Sequence, residues 1–336
     1  MDRRALKNDV VLFRRVCQSI VLSCFCHSFE KTFLEKKRTQ QSPTNNNSNH
    51  CTSMSRPVKV ILVVLVVLLS VYVSVLILCV SLKPFLTFVP LKQFLSDNLE
   101  SFQDIWTVNS HGDRLHGRLF EKRDPTATTT TTTGYVLLAH GNGGNLTYYQ
   151  SLVSFFAKLG CHVLCFDYPG YGNSQGKPSE TNCYEAGLLF YQYIVHNLGI
   201  KPAKIILAGM SLGGAIAARL AATQPSGGLV LISTFVSPRK LLCTLFKPLW
   251  LVSFVANEFF LNDDLVKLHA SDPEFSAKKC VVMHSKKDGL IDFSHAELNS
   301  KTLGNCPVVE LEGWHADPVF TPQAYDAVKQ LLSHTT

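Results

Sequence analysis

The 336 residues include 11 cysteines but no C-x-x-C pair and no cysteine–histidine cluster at metal-ligand spacing. These absences exclude a zinc ribbon and a thioredoxin-type redox motif, and the odd count argues against a disulfide framework. Cys161, Cys165 and Cys280 lie in or beside apolar runs and read as small core residues. Net charge is also missing from most of the chain. Residues 60–336 carry 21 Lys and Arg against 21 Asp and Glu, whereas residues 1–59 carry 11 against 4. A neutral body excludes the broad basic face of a nucleic-acid binder. The basic segment fits an orientation signal or a contact with anionic lipid.

Charge is absent altogether from Val60 to Leu82, 23 residues bracketed by Lys59 and Lys83. At about 1.5 Å per residue, such a helix spans a hydrocarbon core of roughly 30 Å. A cleavable signal peptide has a shorter apolar stretch, about 7–15 residues, and ends at a small-residue site, for which Cys79–Pro84 is a poor match. We read an uncleaved single-pass transmembrane helix, with the lipid bilayer as its partner. The charge total favours an inside N-terminus and a non-cytoplasmic body. The flanks nearly tie, with Arg56 and Lys59 against Lys83 and Lys92, and the cysteine usage suits a reducing compartment, so the side stays open. Residues 1–59 read as a basic, disordered segment, partly apolar over Val10–Phe29 and asparagine-rich over Gln40–Asn49. Cys24 and Cys26 suit either acylation or an apolar helix edge. Met54 is a natural start, so the residues before it read as an extension. Residues 83–100 read as a juxtamembrane linker. The sequons at Asn46 and Asn145 read as incidental.

What is present begins with Gly209-Met210-Ser211-Leu212-Gly213, a G-x-S-x-G pentapeptide. It follows the apolar run Lys204–Ala208 and leads into a small-residue helix start, Gly213–Ala218. Such a sequence places its serine on a strained strand-to-helix turn that exposes Oγ, and the flanking glycines avoid collision with that turn. By chance alone the pentapeptide arises with a probability on the order of a tenth in a chain of this size. It therefore needs a base, an acid and an oxyanion hole. His315 follows the apolar run Cys306–Leu311 and precedes the closing helix Ala324–Leu332, the place for a general base. His295 reads as helical, and His284 ends a strand too early. Asp288 lies in the exit loop of strand Val281–His284, 77 residues after Ser211 and 27 before His315, and reads as the acid. Asp292 competes with it, but reads well as a helix N-cap. The strand Tyr135–Ala139 runs into the glycine-rich turn His140–Asn145. Asn142 N–H there, with Leu212 N–H, would face a developing negative charge; the alternative is a plain glycine turn.

His140-Gly141-Asn142-Gly143-Gly144-Asn145, then Phe166-Asp167-Tyr168-Pro169-Gly170-Tyr171-Gly172-Asn173-Ser174-Gln175-Gly176, then Gly209–Gly214, together resemble the α/β-hydrolase superfamily. Within it, the chain looks most like the membrane-anchored α/β-hydrolase domain-containing proteins 13 and 17, which typically show H-G-N-A-G-N, D-Y-R-G-Y-G-x-S-x-G and G-x-S-L-G-G. The resemblance runs from about Ser101 to the end. Gly143 stands where alanine is usual and Pro169 where arginine is usual. His315-Ala316-Asp317 replaces the frequent H-N-D, which puts the support of the base in doubt. The resemblance implies an eight-stranded, mostly parallel sheet and a serine hydrolase, but it leaves the substrate open.

The remaining pattern is α/β. Strands are expected at Phe102–Val108, Leu115–Phe120, Val163–Asp167, Ile205–Ala208 and Leu229–Ser233, with helices at Tyr148–Leu159 and Cys183–Leu198. Near-continuous apolar strands alternating with helices mean a parallel sheet covered on both faces. Thr128–Thr133 is a low-complexity loop. Residues 101–336 form the expected catalytic domain, with a small cap at about 234–279. That stretch carries Phe235, Phe246, Trp250, Phe254, Phe259 and Phe260, aromatics that line an acyl pocket or simply pack a helix on the sheet. The expected activity is cleavage of carboxylic esters or acyl thioesters through an acyl-enzyme, on an acylated protein or lipid. Lipase or peptidase chemistry on the same triad, or a non-catalytic binding module, are the alternatives. No metal or cofactor is implied, and the oligomeric state is left open.

Overall fold

The computed structural model describes residues 55–96, 102–121, 134–245 and 261–333. The segment before residue 55, the threonine-rich loop, and the cap aromatics Phe246 to Phe260 lie outside the described residues.

Helix α1 spans Arg56–Thr87, and its stretch Arg56–Leu78 is long and apolar enough to cross a membrane. The helix extends past both ends of the expected span, because a lysine marks the edge of an apolar stretch without ending a helix. Pro57 sits in its first turn, where a missing N–H costs nothing. Along Arg56–Leu78 most of its apolar side chains are exposed; Ile61 and Leu69, for instance, are 57% and 61% accessible.

Residues 88–95 lie within the expected juxtamembrane linker, 83–100, and are tied to the folded body. Strand β1 (Val89–Pro90) pairs in parallel with β5 (Gly143–Gly144), inside the expected oxyanion turn. This pairing is made by backbone groups, which leave no mark on composition.

The main sheet comprises β2 (Gln103–Val108), β3 (Arg114–Phe120), β4 (Gly134–Ala139), β6 (Cys161–Phe166), β7 (Ile205–Met210), β8 (Gly228–Ile232), β9 (Cys280–Ser285), β10 (Val308–Trp314) and β11 (Asp317–Val319). Their spatial order is β11-β10-β9-β8-β7-β4-β6-β3-β2. The six strands from β6 to β10 run parallel; β2, β3 and the edge strand β11 are antiparallel to their neighbours. Eight of the nine match the expected sheet. The ninth, β11, is a three-residue hairpin return that places His315 and Ala316 in a turn instead of a long loop.

The strands alternate their side chains between two cores. Leu137, Leu207 and Leu231 face a layer that contains α3 (Glu180–Gln192), α4 (Leu212–Thr223), α6 (Leu261–Ser271) and α8 (Ser294–Thr302). Val136, Ile206 and Val230 face α2 (Gln150–Lys158) and α9 (Pro322–Ser333). The central strands are apolar throughout because both faces are covered. Within the expected cap region, Leu261, Leu265 and Leu268 of α6 are buried in the same core as α4, against which α6 packs. The other described helices of that region are α5 (Pro238–Leu245) and α7 (Pro273–Lys278).

Candidate active site

Ser211 sits at the junction of β7 and α4 with φ 53° and ψ −116°. A non-glycine residue rarely occupies the positive-φ region, and here the neighbours enforce it. A Cβ on Gly209 would overlap the Gly213 carbonyl, and one on Gly213 would overlap the carbonyls of Ala139 and His140. The turn thus needs glycine at both positions, and the start of α4 lies directly against the exit of β4. Ser211 N–H donates to Ile232 O at 2.9 Å. The Ser211 carbonyl accepts the hydroxyl of Thr234 at 2.6 Å, a support the sequence reading missed.

The structure brings Ser211, His315 and Asp288 together. His315 Nε2 lies 3.1 Å from Ser211 Oγ, and His315 Nδ1 lies 2.7 Å from Asp288 Oδ2. The Asp288 carboxylate is fully buried, and the imidazole is largely so. Burial pushes the Asp288 carboxyl up. The hydrogen bond with His315 and the backbone N–H groups of Ile291 and Leu290 outweigh it and hold the group below the usual carboxylate range. An ionised Asp288 accepts from Nδ1–H, and Nε2 is then left with a lone pair aimed at the serine hydroxyl.

The competing residues lie elsewhere. Asp292 accepts from Ser294 N–H at 2.9 Å in the turn before α8; the N-cap itself is Phe293, one residue later than expected. His295 is buried on α8 and accepts from Val236 N–H. His284 Nε2 reaches Ile291 O at 2.9 Å and lies 3.4 Å from Asp288, so it flanks the acid without touching the serine. Burial drives its pKa down. Ser285 Oγ donates to Gly313 O and ties the acid turn to the base strand, a support independent of the H-N-D pattern.

The glycine-rich turn has its carbonyls tied down one by one. Tyr168 donates to His140 O, Tyr171 donates to Asn142 O at 2.8 Å, and Tyr149 donates to Gly143 O at 2.8 Å. Leu91 N–H donates to Gly144 O at 3.0 Å. With its carbonyls held away, the turn leaves Asn142 N–H without an acceptor among the described residues. Leu212 N–H, at the first position of α4, likewise has no acceptor within its helix. Beneath the turn, buried Asp167 accepts from Leu146 N–H at 2.8 Å and lies 3.4 Å from His116. Burial raises the Asp167 carboxyl, but these bonds together with His140 hold it below the usual value. Tyr168 and Tyr171 stand in the D-Y-P-G-Y-G stretch, so their signal was visible although their partners were not. Asn145 is fully buried and bonded to Leu91 O and Gln93 O, which leaves its sequon no room for a glycan. Among the described residues no three His, Cys, Asp or Glu side chains group as a metal site requires.

Residues 134–302, half of the chain, match the family model of the alpha/beta hydrolase fold. The chain is 28% identical over 204 residues to alpha/beta hydrolase domain-containing protein 17B of Xenopus tropicalis, a match covering 60% of this chain and 65% of that protein, just under two thirds. It is 27% identical over 251 residues to protein 17C of Homo sapiens, covering 72% of this chain and 69% of that protein. An esterase of Pyrococcus furiosus superposes with a TM-score of 0.55 at 17% identity, over 73% of this chain and 98% of the esterase, a likeness of fold.

Proposed function

The chain belongs to the α/β-hydrolase family, and from that premise we propose that it is a membrane-anchored serine hydrolase cleaving carboxylic esters or acyl thioesters. One observation carries the reading: the continuous hydrogen-bonded series from Ser211 Oγ through His315 to a buried, ionised Asp288. Ser211 Oγ attacks the acyl carbonyl while His315 Nε2 takes its proton. The Asn142 and Leu212 N–H groups stabilise the oxyanion of the tetrahedral intermediate. His315 then protonates the departing alcohol or thiol, leaving an acyl-serine. Water, deprotonated by His315, attacks the acyl-serine and releases the carboxylic acid and free Ser211. Asp288 holds the imidazole tautomer and stabilises the imidazolium.

The anchor reading rests on the exposed apolar helix Arg56–Leu78. It makes the bilayer the partner and favours acyl groups presented at a membrane. The catalytic step is tested with a fluorophosphonate probe, which should label the wild type and leave Ser211→Ala unlabelled; equal labelling would refute the nucleophile. In a graded series of acyl esters and thioesters, kcat/KM should climb with chain length, by up to about 0.8 kcal/mol per buried methylene. A flat series from acetyl to palmitoyl would restrict the enzyme to small esters. Full-length protein should stay with membranes through high-salt and carbonate washes, since apolar burial does not depend on salt; release by salt would assign attachment to the basic segment.

A further inference from the structure

The end of the anchor helix and the residues after it are built into the turn that carries Asn142. Thr87 O, at the last residue of α1, is 3.4 Å from Asn142 Nδ2. Val89 N–H is shared between Asn142 O at 3.1 Å and the Tyr171 hydroxyl at 3.2 Å. Leu91 N–H donates to Gly144 O. The return bonds are as dense. Asn145 Nδ2 donates to Leu91 O and Gln93 O, and Gly172 N–H donates to Leu91 O. Leu95 N–H reaches Thr147 Oγ1 at 3.0 Å, and the Lys92 ammonium reaches Ser174 O at 2.9 Å. The buried Phe88 ring locks the start of this strap into the core.

These contacts share one geometric consequence. A peptide plane fixes its C=O and the next N–H together. Holding Asn142 O, Asn142 Nδ2 and Gly144 O from the strap side therefore fixes the peptide planes that follow Asn142 and Gly144 and the direction of the Asn142 side chain, and so places the backbone of the residue that bears the donor. The plane that presents Asn142 N–H carries Gly141 O, which His140 Nδ1 contacts at 2.7 Å, so the turn holds that plane itself and depends on the strap for where Asn142 stands. An oxyanion hole is effective only when its donors are preorganised toward the place where charge develops.

We infer that residues 87–96 are a positioning strap for the oxyanion turn, so the segment leaving the anchor sets the rate of the chemical step. The inference rests on the serine-hydrolase reading. The strap touches neither substrate nor nucleophile; it acts through Asn142. Its loss should weaken transition-state stabilisation and leave ground-state binding alone, which is a kcat effect.

The test uses full-length protein in detergent micelles with a soluble acyl ester. Leu91→Pro removes the N–H given to Gly144 O, and Val89→Pro removes the N–H given to Asn142 O and Tyr171. Leu91→Ala and Val89→Ala keep both N–H groups. The proline variants should lose kcat by roughly 10- to 1,000-fold with KM within about twofold of wild type, the upper end matching the roughly 100- to 1,000-fold seen when an oxyanion donor is lost outright. The alanine variants should keep both constants. Folded proline variants with wild-type kcat, or losses carried by KM, would overturn the strap. If the proline variants do not fold, Tyr171→Phe decides, since it deletes only the hydroxyl between Val89 and Asn142. It should lower kcat severalfold at constant KM, and an unchanged kcat would overturn the inference. Wild-type turnover that survives Ser211→Ala would instead remove the serine-hydrolase reading, and the strap with it. Ser211-dependent turnover with normal proline variants removes the strap alone.

Discussion

Two turns meet at this site and are held in opposite ways. The elbow around Ser211 is held by close approach: Gly209 and Gly213 leave no room for a Cβ, and the strain at Ser211 is stored in the contact between α4 and the exit of β4. The turn around Asn142 is held by hydrogen bonds from three phenols and a distant strap. The elbow is thus over-determined by packing and the oxyanion turn by bonding. The first is intolerant of added volume. The second has room for added volume at Gly143, though not at Gly141 or Gly144, and depends on residues about 50 positions earlier in the chain.

The acid turn, like the oxyanion turn, is held by hydrogen bonds, but from its own backbone. Asp288 Oδ1 accepts from Leu290 and Ile291, which leaves Oδ2 for His315. Asp288→Asn keeps the shape but can donate to Nδ1 and trap the wrong tautomer. A kcat loss of about 10,000-fold is expected. Asp292→Asn, which disturbs only the bond to Ser294, should stay within about threefold of wild type. Steady-state kinetics of the two variants check the assignment, and a greater loss at Asp292 would overturn it.

Gly213→Ala tests the packing half of the comparison. The new methyl would collide with two carbonyls at β4's exit, that of Ala139, fixed in the sheet, and that of His140, held by the Tyr168 hydroxyl. A stability loss of about 3 kcal/mol or more is expected, read from denaturant unfolding. A well-folded Gly213→Ala enzyme would mean the elbow is looser than its contacts indicate.

The two modes of support differ in how far the sequence exposed them. The elbow was legible because steric exclusion has a residue signature: glycine two positions either side of the serine. Asp288 and His315 were legible from their order after apolar strands. The strap was not, because Val89 and Leu91 contribute backbone N–H groups that any residue but proline supplies. Nor was β11, a strand of three residues with Pro318 at its centre, below the length at which alternation can be read. The ends of α1 were misplaced for a different reason: Lys59 and Lys83 bound an apolar stretch, and helix hydrogen bonding continues through both. The burial of α6 depends on its docking against α4, a tertiary fact that aromatic content does not report.

The elbow also has one support that titrates. Thr234 bonds Ser211 O, and two residues later Val236 N–H donates to His295 Nδ1, which must be unprotonated to accept. Burial, and then neighbouring His284, hold the His295 pKa down at about 4. The unfolded chain takes up this proton as pH falls below about 6.5, and the folded chain refuses it until about 4. Stability therefore declines with acidification across that window, by roughly 1–3 kcal/mol from this group. His295→Gln, read by unfolding at pH 7.5 and pH 5, both chosen to bracket most of the shift, should flatten the slope. Some slope remains from His284, whose pKa burial also lowers. An unchanged slope would show that His295 charges freely in the fold.

Gly143→Ala tests the bonding half and should do least. Nothing lies within 4 Å of a Cβ built at Gly143, and its φ lies outside the positive region, so alanine fits without strain. Its carbonyl would still accept from Tyr149, and its pairing with Val89 involves backbone alone. The folded state therefore gains no clash, while the unfolded chain loses some of its freedom. A gain of about 0.4–1 kcal/mol is expected, with kcat unchanged. The contrast with Gly213, four residues past Gly209 in the other turn, is the sharpest available, since the same methyl is added to one glycine of each turn. A destabilised or slow Gly143→Ala enzyme would show that the oxyanion turn, like the elbow, is held by packing.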